Sequence, residues 1–264
     1  MHIHTPDPGR ILHYVSSMGT LHEINIRNMD EQHQDWMEMQ KSRLPTVDTA
    51  IVTVASGDGI TDVFRSLGAA EVVPGGQTMN PSTKHLLQAV EAAASDKVII
   101  LPNNKNIVLT AEQVKPLTQK TVVVVPTQTI PQGVAALLAF DYEADFDTNT
   151  QLMEKARVSV KTIEVTRAVR STQIGGLKIR RKQAIGLLDN ELVAVDDSIT
   201  AVLYKLLAKL DLSKAEVVTI YYGDDTELAE AEQIGVGLRE EQPHLQIEVV
   251  SGGQPYYNYI ISVE

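Results

Sequence analysis

A chain of 264 residues with 43% apolar and 22% charged residues has the composition of a globular protein, long enough for one large domain or two ordinary ones. Its formal net charge of −11 argues against duplex nucleic acid as a partner and against direct insertion into an anionic membrane, because both repel an acidic surface. The absence of cysteine removes disulfides, thiolate nucleophiles and cysteine-based zinc sites from the chain itself and suits a cytoplasmic setting, and no apolar run approaches membrane-spanning length.

The first elements expected are a short strand at His2–Thr5, a helix capped by Asp7 with Pro8 in its first turn, and a strand at Leu21–Met29. This β-α-β piece carries too few apolar residues for a core of its own. It opens abruptly inside a strand, without a signal region, and so reads as the end of a domain continued upstream. His2 and His4 are two apart on that strand and point to one face. Together they can share a metal ion or a phosphate, although no third ligand is evident and a solvated strand end explains them equally simply. Residues 30–46 are polar and end in Leu44-Pro45, as a linker would. Trp36, Met37 and Met39 give it a sticky face for a neighbouring lobe or for a second copy of the chain, a homodimer.

The main body starts near Asp48. Apolar runs at Ile51–Ala55, Val98–Leu101 and Thr121–Val125 alternate with amphipathic helices, among them Thr83–Ala94 and Gln132–Phe140. That is the pattern of an α/β lobe on a parallel sheet. After a helix near Thr148–Val160 the pattern changes. Ile163–Ser171 and Ala184–Val195 read as long hairpin strands joined across Gly175-Gly176, followed by a helix at Ile199–Leu210 and a last strand at Tyr257–Val263. The expected domains are 1–46, 47–157 and 158–264.

The chain also echoes itself. Residues 71–78 read Glu-Val-Val-Pro-Gly-Gly-Gln-Thr and residues 248–255 read Glu-Val-Val-Ser-Gly-Gly-Gln-Pro, matching at six of eight positions. Upstream of each lies an apolar strand ending in Gly-Asp, at Val52–Asp58 and at Val218–Asp224. An internal repeat of this kind implies two related lobes with corresponding loops.

No Walker-type phosphate loop, complete dinucleotide fingerprint, His-Glu-x-x-His or Gly-x-Ser-x-Gly occurs, so the sequence offers no evident catalytic engine. Asp141, Glu143, Asp145 and Asp147 alternate like a calcium loop but lack its glycine and closing glutamate, and Asp147 reads better as a helix cap. The candidate binding surface is the pair of Gly-Gly-Gln loops, Gly75, Gly76 and Gln77 with Gly252, Gly253 and Gln254. Glycine admits close backbone approach, and strand C-terminal ends are where α/β proteins bind. Asn80 or Ser82 can cap the next helix, whose N-terminus attracts anions. Asn103, Asn104 and Lys105 follow a buried strand, and Tyr257 belongs to a tyrosine-rich stretch suited equally to an interface and to strand packing. Arg167, Arg170, Lys178, Arg180, Arg181 and Lys182 form a basic cluster without an acid among them. It is either a solvated hairpin tip or a dock for an acidic partner or phosphate.

His2-Ile3-His4-Thr5, Asn28-Met29 and Gln32-His33, with Gly75–Ser82, Leu101–Asn106, Pro126-Thr127, Pro131–Gly133 and Gly252–Pro255, resemble the middle and C-terminal domains of the ATP-binding subunit of bacterial fatty acid kinase, in the dihydroxyacetone-kinase-like group. The resemblance covers essentially the whole chain. It implies a two-lobed DegV-like (EDD-type) α/β body with a mostly parallel first lobe and a mixed second lobe, preceded by the partial β-α-β piece. It also implies that ATP and Mg belong to a kinase domain outside this chain, and that a DegV-like fatty-acid-binding carrier is the partner. By the same resemblance, Asn80 and Ser82 match the loop where such carriers hold a lipid carboxylate, and His2 and His4 match a metal site, expected to be zinc, that an upstream cysteine completes. The surrounding Gly-Gly-Gln differs from the carriers' Thr-Ser-Gln, which favours docking over lipid binding.

Overall fold

The computed structural model describes Tyr14 and residues 48–264 apart from Thr78 and Gly175. The chain divides into two units, 1–46 and 47–264. The strands, linker and paired histidines expected in the first unit lie outside the described residues; Tyr14 is helical.

The second unit opens with four β/α steps: β1 (Ala50–Ala55), α1 (Asp58–Ser66), β2 (Glu71–Pro74), α2 (Thr83–Ala92), β3 (Lys97–Leu101), α3 (Lys105–Glu112), β4 (Thr121–Val124) and α4 (Ile130–Leu138). The four strands form a wholly parallel sheet in the order β2-β1-β3-β4. Its residues are apolar on both faces because both faces are covered. Val52, Val54, Val98 and Ile100 pack with Leu86 and Val90 of α2 and Ile107 and Ala111 of α3. Ile51, Ala55, Ile99 and Leu101 face the other way, onto Ile60 and Phe64 of α1 and Val134 and Leu137 of α4.

After α5 (Phe146–Ser159) come β5 (Lys161–Arg167), β6 (Thr172–Ile174), β7 (Leu177–Ile179), β8 (Ala184–Leu188), β9 (Glu191–Asp196), α6 (Ile199–Leu207), β10 (Val217–Tyr222), α7 (Leu228–Glu241), β11 (Gln246–Ser251) and β12 (Tyr257–Val263). Six of these strands form a mixed sheet, β11-β10-β12-β5-β8-β9, in which only β10 and β11 run parallel. One face is covered by α6 and α7 through Val202, Leu206, Ile234 and Leu238. The other presents Tyr221 and Ile260 to α1 and α4. Helix α4 therefore lies between the two sheets, which explains why six of its nine residues are buried. The layers are α2–α3, parallel sheet, α1–α4, mixed sheet, α6–α7.

Three expectations change. The long hairpin read across Gly175-Gly176 is two structures. β5 pairs directly with β8, and beyond them β6 and β7 pair only with each other. β8 then turns into β9 through Asp189 and Asn190, both at positive φ (48° and 68°), as a two-residue hairpin requires. In the acidic run, Asp145 rather than Asp147 caps α5: its Oδ1 accepts from the Thr148 N–H at 2.7 Å, and that bond holds its carboxyl below the usual carboxylate range. The side chain of Asn149 fastens the turn, accepting from the Asp141 N–H and donating to the carbonyls of Asp141 and Ala144.

The repeat is real in its second half and slipped in its first. Ala55 pairs with Pro74 and Tyr222 with Ser251, so Pro74 and Ser251 correspond, as the matched letters say. The same ladders make Ala55 equivalent to Tyr222, one residue off the alignment of the two Gly-Asp pairs. Gly57 then leads straight into α1, whereas Gly223-Asp224 begins a longer turn before α7.

Candidate functional site

The structure brings seven of the sequence-predicted residues to one cavity. Gly75, Gly76 and Gln77 from the first Gly-Gly-Gln loop, Asn103 and Asn104 from the start of α3, and Gln254 and Tyr257 from the second loop and β12 line a space of about 190 Å³ between the sheets. Tyr257 points into it because β12 bulges between Tyr257 and Tyr259, which puts the Tyr257 ring on the Ile260 face instead of the Tyr259 face.

Most of these side chains already have partners. Asn103, at φ 55°, donates from Nδ2 to Thr53 Oγ1 at 2.7 Å and to the Val54 carbonyl at 2.9 Å, and its Oδ1 accepts from Thr127 Oγ1 at 2.8 Å. It staples β1 to the segments after β3 and β4 and builds the cavity floor. Gly133 is glycine because a Cβ there would stand 2.0 Å from Asn103 Oδ1. Asn104 Oδ1 caps α3 by accepting from the Asn106 N–H. Gln254 is buried and donates from Nε2 to the Tyr221 carbonyl at 2.9 Å. Burial and the nearby Glu164 push the Tyr257 hydroxyl well above the usual tyrosine range, while a hydrogen bond with the Gln77 side chain pulls the other way.

Other candidates do not line the cavity. Asn80 and Ser82 are exposed, and the Ser82 hydroxyl caps α2 by accepting from the His85 N–H. Lys105 is exposed at the first turn of α3, within electrostatic reach of Glu164. Gly252 and Gly253 are absorbed in a joint between the sheets: the Gly252 carbonyl accepts the Ile60 N–H of α1 at 3.0 Å, and a Cβ on Gly59 would stand 1.7 Å from the Ser251 carbonyl oxygen. The incomplete dinucleotide fingerprint Gly57-Asp58-Gly59 is thus a packing device, and the N-terminus of α1 is occupied by protein.

The basic cluster maps to the β6–β7 ribbon and its root, with Val169, Ile174 and Leu177 exposed beside it. Arg180 is not free of acids, since Asp197 comes from a distant position and receives two bonds from Arg180 Nη2 at 2.8 and 3.1 Å. Arg167 donates to the Lys182 carbonyl, and Arg181 is exposed. The ribbon springs from the cavity rim, where Thr166 Oγ1 donates to the Tyr256 carbonyl.

The residue sequence reasoning missed is Glu164. It is 7% exposed, faces the cavity from mid-β5, and is lifted by burial from its ordinary 4.5 to about 7 although Lys105 opposes the change. The signal was present: one carboxylate between Ile163 and Val165 in a strand whose four central residues are buried.

A family model for the C-terminal domain of fatty acid kinase A-type (FakA-like) proteins matches residues 50–264, and one for the middle domain of the same proteins matches 1–36. The chain belongs to the FakA-like family of fatty acid kinase proteins. An uncharacterized protein of Staphylococcus aureus strain USA300 is 36% identical over 268 residues, which span 100% of this chain and 49% of that protein; the chain thus spans about half the length of the curated relatives it matches. Among solved structures, a fatty-acid-binding DegV family protein of Thermus thermophilus aligns with a TM-score of 0.59 at 12% identity, over 82% of this chain and 99% of its own. The fatty acid kinase B3 protein of Streptococcus pneumoniae, loaded with linoleic acid, aligns with a TM-score of 0.54 at 10% identity, over 82% and 99%. At those identities the likeness is one of fold, the two-lobed DegV-like α/β body. Among the described residues, no helix is long and apolar enough to cross a membrane.

Proposed function

We propose that this chain is the non-catalytic docking and regulatory portion of a fatty acid kinase, and that it recruits a DegV-like, lipid-loaded carrier to an ATP-using domain outside the chain. There, ATP with Mg would phosphorylate the fatty acid carboxylate to an acyl phosphate. Family membership supports the kinase setting. The observation that carries docking over lipid storage is the cavity itself. At about 190 Å³ it falls below the ~300–1,000 Å³ usual for ligand pockets, and its wall holds a buried acid, Glu164, where a lipid carboxylate would need donors. In the loop that in carriers would hold that carboxylate, Ser82 caps α2 and is exposed, outside the cavity lining.

The rim and the basic, partly apolar ribbon beside it make one continuous surface suited to a protein partner. Immobilised chain is expected to capture a lipid-loaded DegV-type carrier, and Arg181→Glu with Lys178→Glu is expected to weaken capture in a salt-dependent manner. No capture at low salt, or acyl phosphate formed by this chain alone, would contradict the proposal.

A further inference from the structure

Among the described residues, two buried side-chain atoms have no hydrogen-bond partner, Oε2 of Glu164 and Oε1 of Gln254. With Glu164 ionised both are acceptors, and both side chains line the same cavity. The Gln254 amide cannot be turned over to resolve this. Its Nε2 faces the carbonyls of Tyr221 and Tyr257, and an oxygen placed there would meet two acceptors. Glu164 lies opposite Ile260 and Leu187 in the ladder, neither of which has a side-chain donor. Buried polar groups are almost always paired, and an unmet one costs free energy.

We propose that this cavity is a socket for a guanidinium or ammonium group, which donates to Glu164 and Gln254 together. The volume suits such a head on a short stem. Val54, Ile60, Ile130 and Ile260 give the stem an apolar wall, and the Tyr257 ring offers a face that attracts cations. An anion is poorly served in the same place. The Asn106 N–H of α3 and the Gln132 N–H of α4 already go to the caps Asn104 Oδ1 and Thr129 Oγ1. The Ile107 and Gly133 N–H groups go to the carbonyls of the same two cap residues, and Pro131 has none to give, so these helix ends have fewer donors left for it. The charged and titratable groups that act on Glu164 or are acted on by it are Lys105 of α3 and Tyr257 of β12. Because burial keeps Glu164 partly protonated near neutral pH, an entering cation ionises it and a proton leaves.

The proposal rests on the docking reading only for the source of the group, which is a carrier side chain or a free small amine. Calorimetric titration of the 264-residue chain with ethylguanidinium at pH 7, in two buffers of different ionisation enthalpy, tests it. Binding with proton release is expected, no comparable binding of hexanoate, and about a tenfold or greater loss in Glu164→Gln, whose fold is checked by circular dichroism and urea midpoint. No binding of ethylguanidinium to the parent chain, equal binding by the variant, or tighter binding of hexanoate would overturn the socket. Displacement of a captured carrier by ethylguanidinium assigns the group to the partner, and binding without displacement assigns it to a small molecule. A carrier that never binds defeats docking while the titration still decides the socket.

Discussion

The two Gly-Gly-Gln loops begin alike and end differently. Each first glycine donates its N–H to the carbonyl closing the neighbouring parallel strand, Gly75 to Ala55 of β1 and Gly252 to Tyr222 of β10, both at 3.0 Å. From there the first loop folds on itself, with Gly76 N–H on the Met79 carbonyl and Gln77 exposed. The second is turned inward. Gly253 takes φ 60°, Gln254 is 2% exposed, and the Gly252 carbonyl caps α1 of the other sheet. The same letters do two jobs because only the second loop has α1 packed on it. One loop fastens the lobes together, while the other closes on itself and leaves Gln77 exposed.

The sharpest way to break that contrast is at its joint. Gly59→Ala drives a methyl group into the Ser251 carbonyl, a backbone atom that cannot step aside, and should cost about 3 kcal/mol or more of stability. Urea unfolding measures it, and near-wild-type stability would mean that the joint is looser than described.

Next comes the acid between the loops. Holding a carboxyl from 4.5 up to about 7 makes its ionisation in the folded state cost roughly 3 kcal/mol. Between those values the unfolded chain has lost the proton and the folded chain keeps it, so stability falls as pH rises from about 4.5 to about 7 and is level above. Glu164→Gln removes that slope. The variant should be more stable than the parent by up to roughly 3 kcal/mol at pH 8 and close to it at pH 4; unchanged pH dependence in paired urea melts would put Glu164 in solvent.

The smallest test compares the loops directly. Gln254→Ala loses buried hydrogen bonds and should cost about 2 kcal/mol, while Gln77→Ala should stay within about 0.5 kcal/mol. Likewise Gly76→Ala has only Ser56 Cβ, at 3.6 Å, to meet and should be near neutral. Equal losses in the two loops would erase the distinction between joint and rim.

Much of the body was legible in the residues. The apolar runs of β1, β3 and β4 gave a doubly covered parallel sheet because period and composition report burial directly. The echo located both loops. What stayed hidden depended on contacts distant in sequence. The letters Gly-Asp matched twice, yet the ladders place them one residue apart. Arg180 read as part of an acid-free cluster until the fold delivered Asp197. The Asp189-Asn190 turn, at positive φ on both residues, is written in turn-forming residue types, but the glycine pair at 175–176 carries the stronger local turn signal. Glu164 was visible as a lone acid in a buried strand, but its environment comes from lobe packing that no local pattern encodes.

The central claim is that this chain meets a lipid carrier without holding the lipid. Native mass spectrometry of the chain, alone and then mixed with a DegV-type carrier loaded with one fatty acid, tests it most directly. The account predicts a bare chain on its own and a complex whose single acyl chain departs with the carrier. An acyl chain retained by the purified protein alone would contradict it.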